Sequence, residues 1–313
     1  MYDSRLGKFR SIDPEKLLLV SLSHYSFALN SPIRTIDADG EFPILINGKT
    51  GNDTERGSSS YWDESILTTI GTKLGGFDGI DNKNKGYAQG GGMFKDGSYS
   101  KAGSSSSKFW GDFLMVDGNR GIGSGKSNWP NNRKAAGVAQ AKADAASVWA
   151  KLKSSMNKDG QITEKIEIIS HSRGGAFANG YVEQLKVEID ALATKDKIGF
   201  AYDKNSMVDL VVHLAPHQSN FINVEKTQTA TVGISHIGDV LSGNDIDGDV
   251  MNIHTAEDKS SINPHASKSY NKVLGAILDL FIKGGKGAVM NKAKVKEAVQ
   301  PTTTGAVNTK IGD

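Results

Sequence analysis

The residues best equipped for chemistry lie in one tract, Ile166-Glu167-Ile168-Ile169-Ser170-His171-Ser172-Arg173-Gly174-Gly175-Ala176-Phe177-Ala178. A β-branched apolar run enters small-His-Ser-Arg-Gly-Gly and passes at once into helix-forming sequence, the context of a nucleophile elbow. A serine on so tight a strand-to-helix turn needs small residues two positions to either side, and Ser170 and Gly174 supply them. Its hydroxyl would stand at a helix N-terminus, where backbone N–H groups and the helix dipole stabilise developing negative charge. Ser172 is therefore the expected nucleophile and the N–H of Arg173 an expected oxyanion donor. The chain contains no cysteine, so a thiolate nucleophile, disulfides and thiolate metal sites are excluded.

Positioning such a serine requires a strand that stops abruptly and neighbours that bury it. From Glu41 onward, apolar runs alternate with helical periodicity, which predicts a mainly parallel, doubly wound α/β sheet. Strands are expected at Phe42–Ile46, Phe113–Val116, Ile166–Ile169, Val208–Leu214 and Thr229–Ile234, with a last one at Val250–His254. Helices are expected at Tyr61–Leu74, Lys134–Met156, Gly174–Ile189 and Tyr270–Lys283. The chain has 36 glycines in 313 residues. Many fall between Gly71 and Gly125, and the stretch from Gly75 to Gly111 reads as a long excursion without a sustained period. The tract Asp117–Ser127 superficially suggests a phosphate cradle, but its glycines do not have nucleotide-loop spacing.

The strand–Ser-His-Ser-Arg-Gly-Gly–helix tract resembles the α/β-hydrolase superfamily, in particular lipase-like members with Gly-His-Ser-x-Gly-Gly, over roughly residues 42 to 280. Ser170 stands where that family usually has glycine. The resemblance implies a Ser, then Asp or Glu, then His order along the chain, and this order filters the seven histidines. His24 precedes the serine, and His171 beside it should point away into the sheet. His213 and His217 come too early and should line or support the pocket, and His236 stands only three residues before the best acid. His254 and His265 remain. His265, in a Pro-broken loop before an apolar helix and followed by Tyr270, is preferred, because His254 falls within the last strand. Asp239, just past the end of the strand at Thr229–Ile234, is the expected acid that orients the imidazole. Its competitors Asp245, Asp247 and Asp249 read as a solvated acidic turn; calcium is the alternative, although the helix-loop-helix calcium spacing is missing. The family's second oxyanion donor comes from the loop after an early strand, here the N–H of Gly48 or Lys49. The resemblance calls for no metal and no organic cofactor.

Residues 2–40 have a different character. Tyr2-Asp3-Ser4-Arg5-Leu6-Gly7-Lys8-Phe9, Ser11-Ile12-Asp13-Pro14, Tyr25-Ser26-Phe27-Ala28-Leu29-Asn30-Ser31-Pro32 and Asp37-Ala38-Asp39-Gly40 follow in order. This segment resembles the C-terminal end of the core of Rhs/YD-repeat proteins, with Ala38 where that family often has proline. The resemblance implies three regions: a β-rich Rhs core end at 1–40, an α/β-hydrolase effector domain at 41–284, and a basic tail at 285–313. It also implies a polymorphic toxin carried within an upstream Rhs shell, held in check by a cognate immunity protein and delivered into a target cell. A lipase-like cargo would then attack lipid or phospholipid esters. An amidase or peptidase with the same three groups, and a non-catalytic interaction module on the scaffold, are the alternatives. Lys plus Arg totals 37 and Asp plus Glu 35, a balance that gives no nucleic-acid signature. No apolar run has the length of a membrane span or a secretory leader. Lys286, Lys292, Lys294 and Lys296, interleaved with apolar residues, read as a solvated tail, with a basic helix in peripheral contact with anionic lipid as the alternative.

Overall fold

The computed structural model describes residues 2–3, 8–9, 41–50, 55–75, 80–81, 86–87, 107–110, 113–119, 129–237, 239–242, 244–255, 265–299 and 310–311. Of the Rhs-like segment only Tyr2–Asp3 and Lys8–Phe9 are included, paired antiparallel as Tyr2 with Phe9 and Asp3 with Lys8. The rest of that segment and most of the glycine-rich stretch lie outside the described residues.

Strand β1 (Glu41–Asn47) is followed by helix α1 (Glu64–Leu74), β2 (Lys108–Trp110), β3 (Phe113–Asp117) and α2 (Pro130–Ser154). Strand β4 (Lys165–His171), α3 (Gly174–Asp196), β5 (Val208–Leu214), β6 (Ala230–His236) and β7 (Met251–Thr255) continue the alternation. Helices α4 (Asn271–Val289) and α5 (Lys292–Val299) and the short β8 (Lys310–Ile311) complete it. These strands form one sheet in the order β8-β7-β6-β5-β4-β1-β3-β2. The six from β7 to β3 are parallel, and only the edge strands β8 and β2 run antiparallel to their neighbours. The expectation of a mainly parallel α/β sheet holds, with the predicted strand near residue 250 as the sixth parallel member.

Parallel strands buried on both faces read as continuous β-branched runs, and β4 does so with Ile166, Ile168 and Ile169 all fully buried. Side-chain alternation divides the core. Ile44, Ile46, Ile166 and Ile168 pack with Val148, Phe177 and Leu185 beneath α2 and α3. Leu45, Ile169, Leu210 and Ile234 pack with Ile66, Ile70, Leu274 and Ile277 beneath α1 and α4.

Three expectations shift. The helix predicted from Tyr61 begins at Glu64, because the Asp63 side chain caps it by accepting from Ser65 N–H, and Tyr61 belongs to a short 3-10 turn, Ser59–Tyr61. Helix α2 starts earlier than predicted, at Pro130, whose missing N–H costs nothing at a first helical position. The basic tail expected from residue 285 is folded as far as 299: α4 continues through a kink at Gly285, and Val289, Val295 and Val299 are buried in the main core. The apolar side of α5 is thus occupied by packing instead of being presented to lipid. No helix among the described residues is long and apolar enough to cross a membrane.

Candidate active site

In chain order β1 leads outward to β3, whereas the next parallel strand, β4, lies on the other side of β1. The carboxyl ends of β1 and β4 therefore flank a reversal of winding, the place where open α/β sheets leave a crevice for ligands. The loop beginning at Gly48 and the turn at Ser172 meet there.

Ser172 has φ 55, a left-handed conformation in a residue that is not glycine. Its backbone is fixed on three sides: its N–H donates to the Leu214 carbonyl at 2.9 Å, and its own carbonyl accepts from Gly175 N–H at 3.1 Å and His217 N–H at 3.0 Å. Strain of this kind persists only where the surroundings over-determine it. Gly174 is part of that determination, since a Cβ there would lie 2.7 Å from the Ile46 carbonyl oxygen and 2.8 Å from that of Asn47. Ser170 is fully buried, and its hydroxyl is satisfied by His213 Nδ1 at 2.7 Å. Neighbouring strand β5 offers a polar partner at that point, which removes the penalty of the extra hydroxyl.

Ser172 Oγ lies 2.7 Å from His265 Nε2, and His265 Nδ1 lies 2.6 Å from Asp239 Oδ2. A carboxylate accepts, so Nδ1 carries the ring proton and Nε2 accepts from the serine hydroxyl. Asp239 is buried, and its Oδ1 accepts from Leu241 N–H at 2.9 Å while Oδ2 also accepts from the Ser242 hydroxyl. Tyr270 Oη stands 3.5 Å from the same oxygen. Burial alone would raise this carboxyl, but the bonds from His265, Ser242 and Leu241 outweigh it and hold it well below the usual carboxylate range. The site therefore keeps an ionised acid behind an imidazole oriented toward the serine.

The remaining candidates separate clearly. His254 is not near the serine: on β7, its Nδ1 meets Ser235 Oγ at 2.6 Å and its Nε2 meets Asp245. Asp249 pairs with Lys286 at 3.2 Å, and Asp247 lies in a two-residue parallel pairing with Asn223. The three aspartates are thus dispersed among different partners. His213 supports Ser170, and His236 bridges Ser269 and Thr255 while stacking on Tyr270.

His171 departs from expectation. Alternation along β4 puts it on the face of Ile169, toward α1 and α4, and there it is engaged at both nitrogens. Nε2–H donates to the backbone carbonyl of His265 at 2.8 Å, which leaves Nδ1 to accept from the Tyr61 hydroxyl at 2.5 Å. Burial, followed by the nearby His265, pushes His171 down to about 3, so it stays neutral. A histidine beside the serine thus tethers the loop that carries the base. Tyr61 was missed in the sequence because its helical spacing with Leu74 concealed a residue that sits before the cap.

Gly48 packs directly on the turn: a Cβ there would be 2.7 Å from both the His171 carbonyl oxygen and Ser172 Cβ. Its backbone also hydrogen-bonds the Tyr61 hydroxyl, opposing the strong upward push that burial gives the phenol. Buried Asn47 fixes the loop through Nδ2 to the Gly48 carbonyl at 2.8 Å and to Asp117 at 3.2 Å, while its Oδ1 accepts from Gly57 N–H at 2.8 Å. Lys49 is exposed at the rim, and Arg173 begins the turn into α3. No protein-family model matches the chain, and no curated protein matches its sequence.

Proposed function

We propose that this chain is a serine ester hydrolase of α/β-hydrolase type, acting on lipid or phospholipid esters. The observation that carries the reading is the unbroken line from Ser172 through His265 to Asp239, presented on a left-handed turn at the carboxyl end of a central strand. In the proposed reaction the Ser172 oxygen attacks the ester carbonyl carbon as its proton passes to His265 Nε2, and Asp239 stabilises the resulting imidazolium. The tetrahedral oxyanion is met by the N–H of Arg173 and a second N–H from the loop after β1. Of Gly48 and Lys49, we favour Lys49, because the Gly48 backbone is engaged by Tyr61. Collapse expels the alcohol, which takes the proton from Nε2. Water then follows the same route and releases the carboxylic acid, restoring the serine.

Lipid is favoured over a water-soluble ester by the surface beside the site. Ile237, Val240 and Leu241 flank Asp239, and Val240 is 95 % exposed; Phe221, also exposed, lies on the loop joined to them through Gln218 N–H and the Leu241 carbonyl. Apolar side chains left in water around a nucleophile suit an apolar substrate. The Rhs-like residues 2–40 support a toxin role, with an upstream shell, a target cell and an immunity partner. A fluorophosphonate probe should label the parent and not Ser172→Ala, and a panel of fatty-acyl esters, phospholipid vesicles and acyl amides should show cleavage confined to esters. No labelling ends the enzymatic reading in favour of an interaction module, and amide cleavage at ester rates replaces lipase with amidase. Residues 41–313, directed to the compartment holding the substrate, should arrest growth only with Ser172 intact.

A further inference from the structure

At the amino-terminal end of the sheet, opposite Ser172, three adjacent strands each bring a carboxylate to one place. Glu41 opens β1, Glu167 follows the start of β4, and Asp209 follows the start of β5. Register explains how they meet. Glu41 pairs with Lys165 and Pro43 with Glu167, so both glutamates lie on one face. Between β4 and β5 the pairing steps: Ile166 is opposite Val208, but Glu167 is opposite Leu210, which leaves Asp209 as an extra residue. A bulge of this kind re-aims a side chain. The carboxylate oxygens that the three residues offer all lie within 4.8 Å of one another.

Glu167 makes this more than an acidic cluster. It is fully buried, and neither of its carboxylate oxygens has a hydrogen-bond partner among the described residues. A buried, ionised and uncompensated carboxylate is among the costliest groups a fold can contain. Asp209 is nearly buried as well, and its Oδ1 is unpartnered while Oδ2 takes Lys165 Nζ at 3.0 Å. Glu41 brings a third carboxylate to this pair. Tyr202 lies in the same field: burial first, and then the charges of Asp209, Glu41 and Glu164, push its phenol far above the usual range.

We propose that Glu41, Glu167 and Asp209 form a binding site for a hard divalent cation of calcium's size, pinning the amino-terminal ends of β1, β4 and β5. All the donors are oxygen, which selects calcium, magnesium or manganese over zinc or copper. Two oxygens that ligate one calcium ion stand at most about 4.8 Å apart, twice a bond length near 2.4 Å, and the oxygens offered by these three residues all lie within that separation. Magnesium demands near-ideal octahedral geometry and gives up its water reluctantly, so a buried cluster of protein carboxylates suits it less. The role is structural, since the site lies at the far end of the strands from the serine.

The test is isothermal titration of the chelator-stripped chain with CaCl2 and with MgCl2, alongside melting curves with and without each ion. The parent should bind one calcium per chain, more tightly than magnesium, and its Tm should rise with calcium. Glu167→Gln keeps the volume and removes the charge, so it should fold, lose calcium affinity by at least about 100-fold and melt at a temperature indifferent to the ion. Asp209→Asn is the second variant and should weaken binding in the same direction. A parent that neither binds calcium nor gains Tm overturns the assignment, as does parent-like affinity in Glu167→Gln. Stabilisation of the parent by mild acid and not by calcium also overturns it, because the carboxylates would then be sharing protons instead of an ion.

Discussion

Replacing His171 with phenylalanine tests whether the histidine beside the nucleophile acts as the tether for the base. The substitution keeps a ring of similar size but deletes the N–H donated to the His265 carbonyl at 2.8 Å and the acceptor used by Tyr61 at 2.5 Å. His171 is only 5 % exposed, so the phenol it abandons is poorly placed to find water. A buried polar group left without its partner costs about 1–3 kcal/mol, and for a chain of this size about 2 kcal/mol corresponds to a Tm lower by roughly 5 °C. The kinetic effect is distinct from this. Without its carbonyl anchor, the His265 loop holds Nε2 less well against Ser172 Oγ, and a displacement near 1 Å costs up to about 100-fold in rate. Under the proposed mechanism, kcat for ester hydrolysis should fall by about 10- to 100-fold, with KM within about twofold. His171→Gln, which can both accept from Tyr61 and donate to the carbonyl, should recover most of that loss. Tyr61→Phe should give a smaller loss, and Tyr61→Phe with His171→Phe should cost little more than His171→Phe alone, because the groups form one chain. The assay is steady-state hydrolysis of a soluble fatty-acyl ester with a parallel thermal melt. Parent kcat in His171→Phe despite a lowered Tm would refute the tether and reduce His171 to a packing residue.

Three further outcomes follow from the same geometry. Ser172→Ala and His265→Ala should each remove about three or more orders of magnitude of activity, Asp239→Asn somewhat less, and the Ser172 plus His265 double change no more than either alone; additive losses in ester turnover would contradict a single unit. His254→Ala should leave turnover within about threefold, since that ring is bonded to Ser235 and Asp245; an inactive His254→Ala with an active His265→Ala would reverse the assignment of the base. Stability should fall on acidification from pH 7 to 5. Burial holds His171 down at about 3 and His213 at about 4, whereas an unfolded histidine titrates near 6.5, so below that value the unfolded chain takes up the protons. Each group contributes on the order of 2 kcal/mol of loss by pH 5, and urea midpoints that stay level across this range would contradict the neutral buried state of both rings.

What could be read from the sequence alone was local in origin. The run of isoleucines meeting Ser-His-Ser-Arg-Gly-Gly specified a buried strand, a tight turn and a helix within a dozen residues, because bond geometry and small side chains act between near neighbours. Alternating strand and helix signals gave the parallel sheet for the same reason, and chain order with the family resemblance selected Asp239 and His265, which the fold brings to Ser172. Tertiary structure decided everything that depended on which face a strand presents and which strands lie side by side. His171 was assigned to the sheet interior until alternation along β4 turned it toward α1 and α4. Tyr61 seemed part of a helix until the Asp63 cap released it, and Ser170 is tolerated only because β5 places His213 opposite. The carboxylates of Glu41, Glu167 and Asp209, 126 and 42 positions apart along the chain, carry no common motif. They converge because three strands run side by side and one bulge re-aims a side chain, and sequence spacing does not encode that lateral registration.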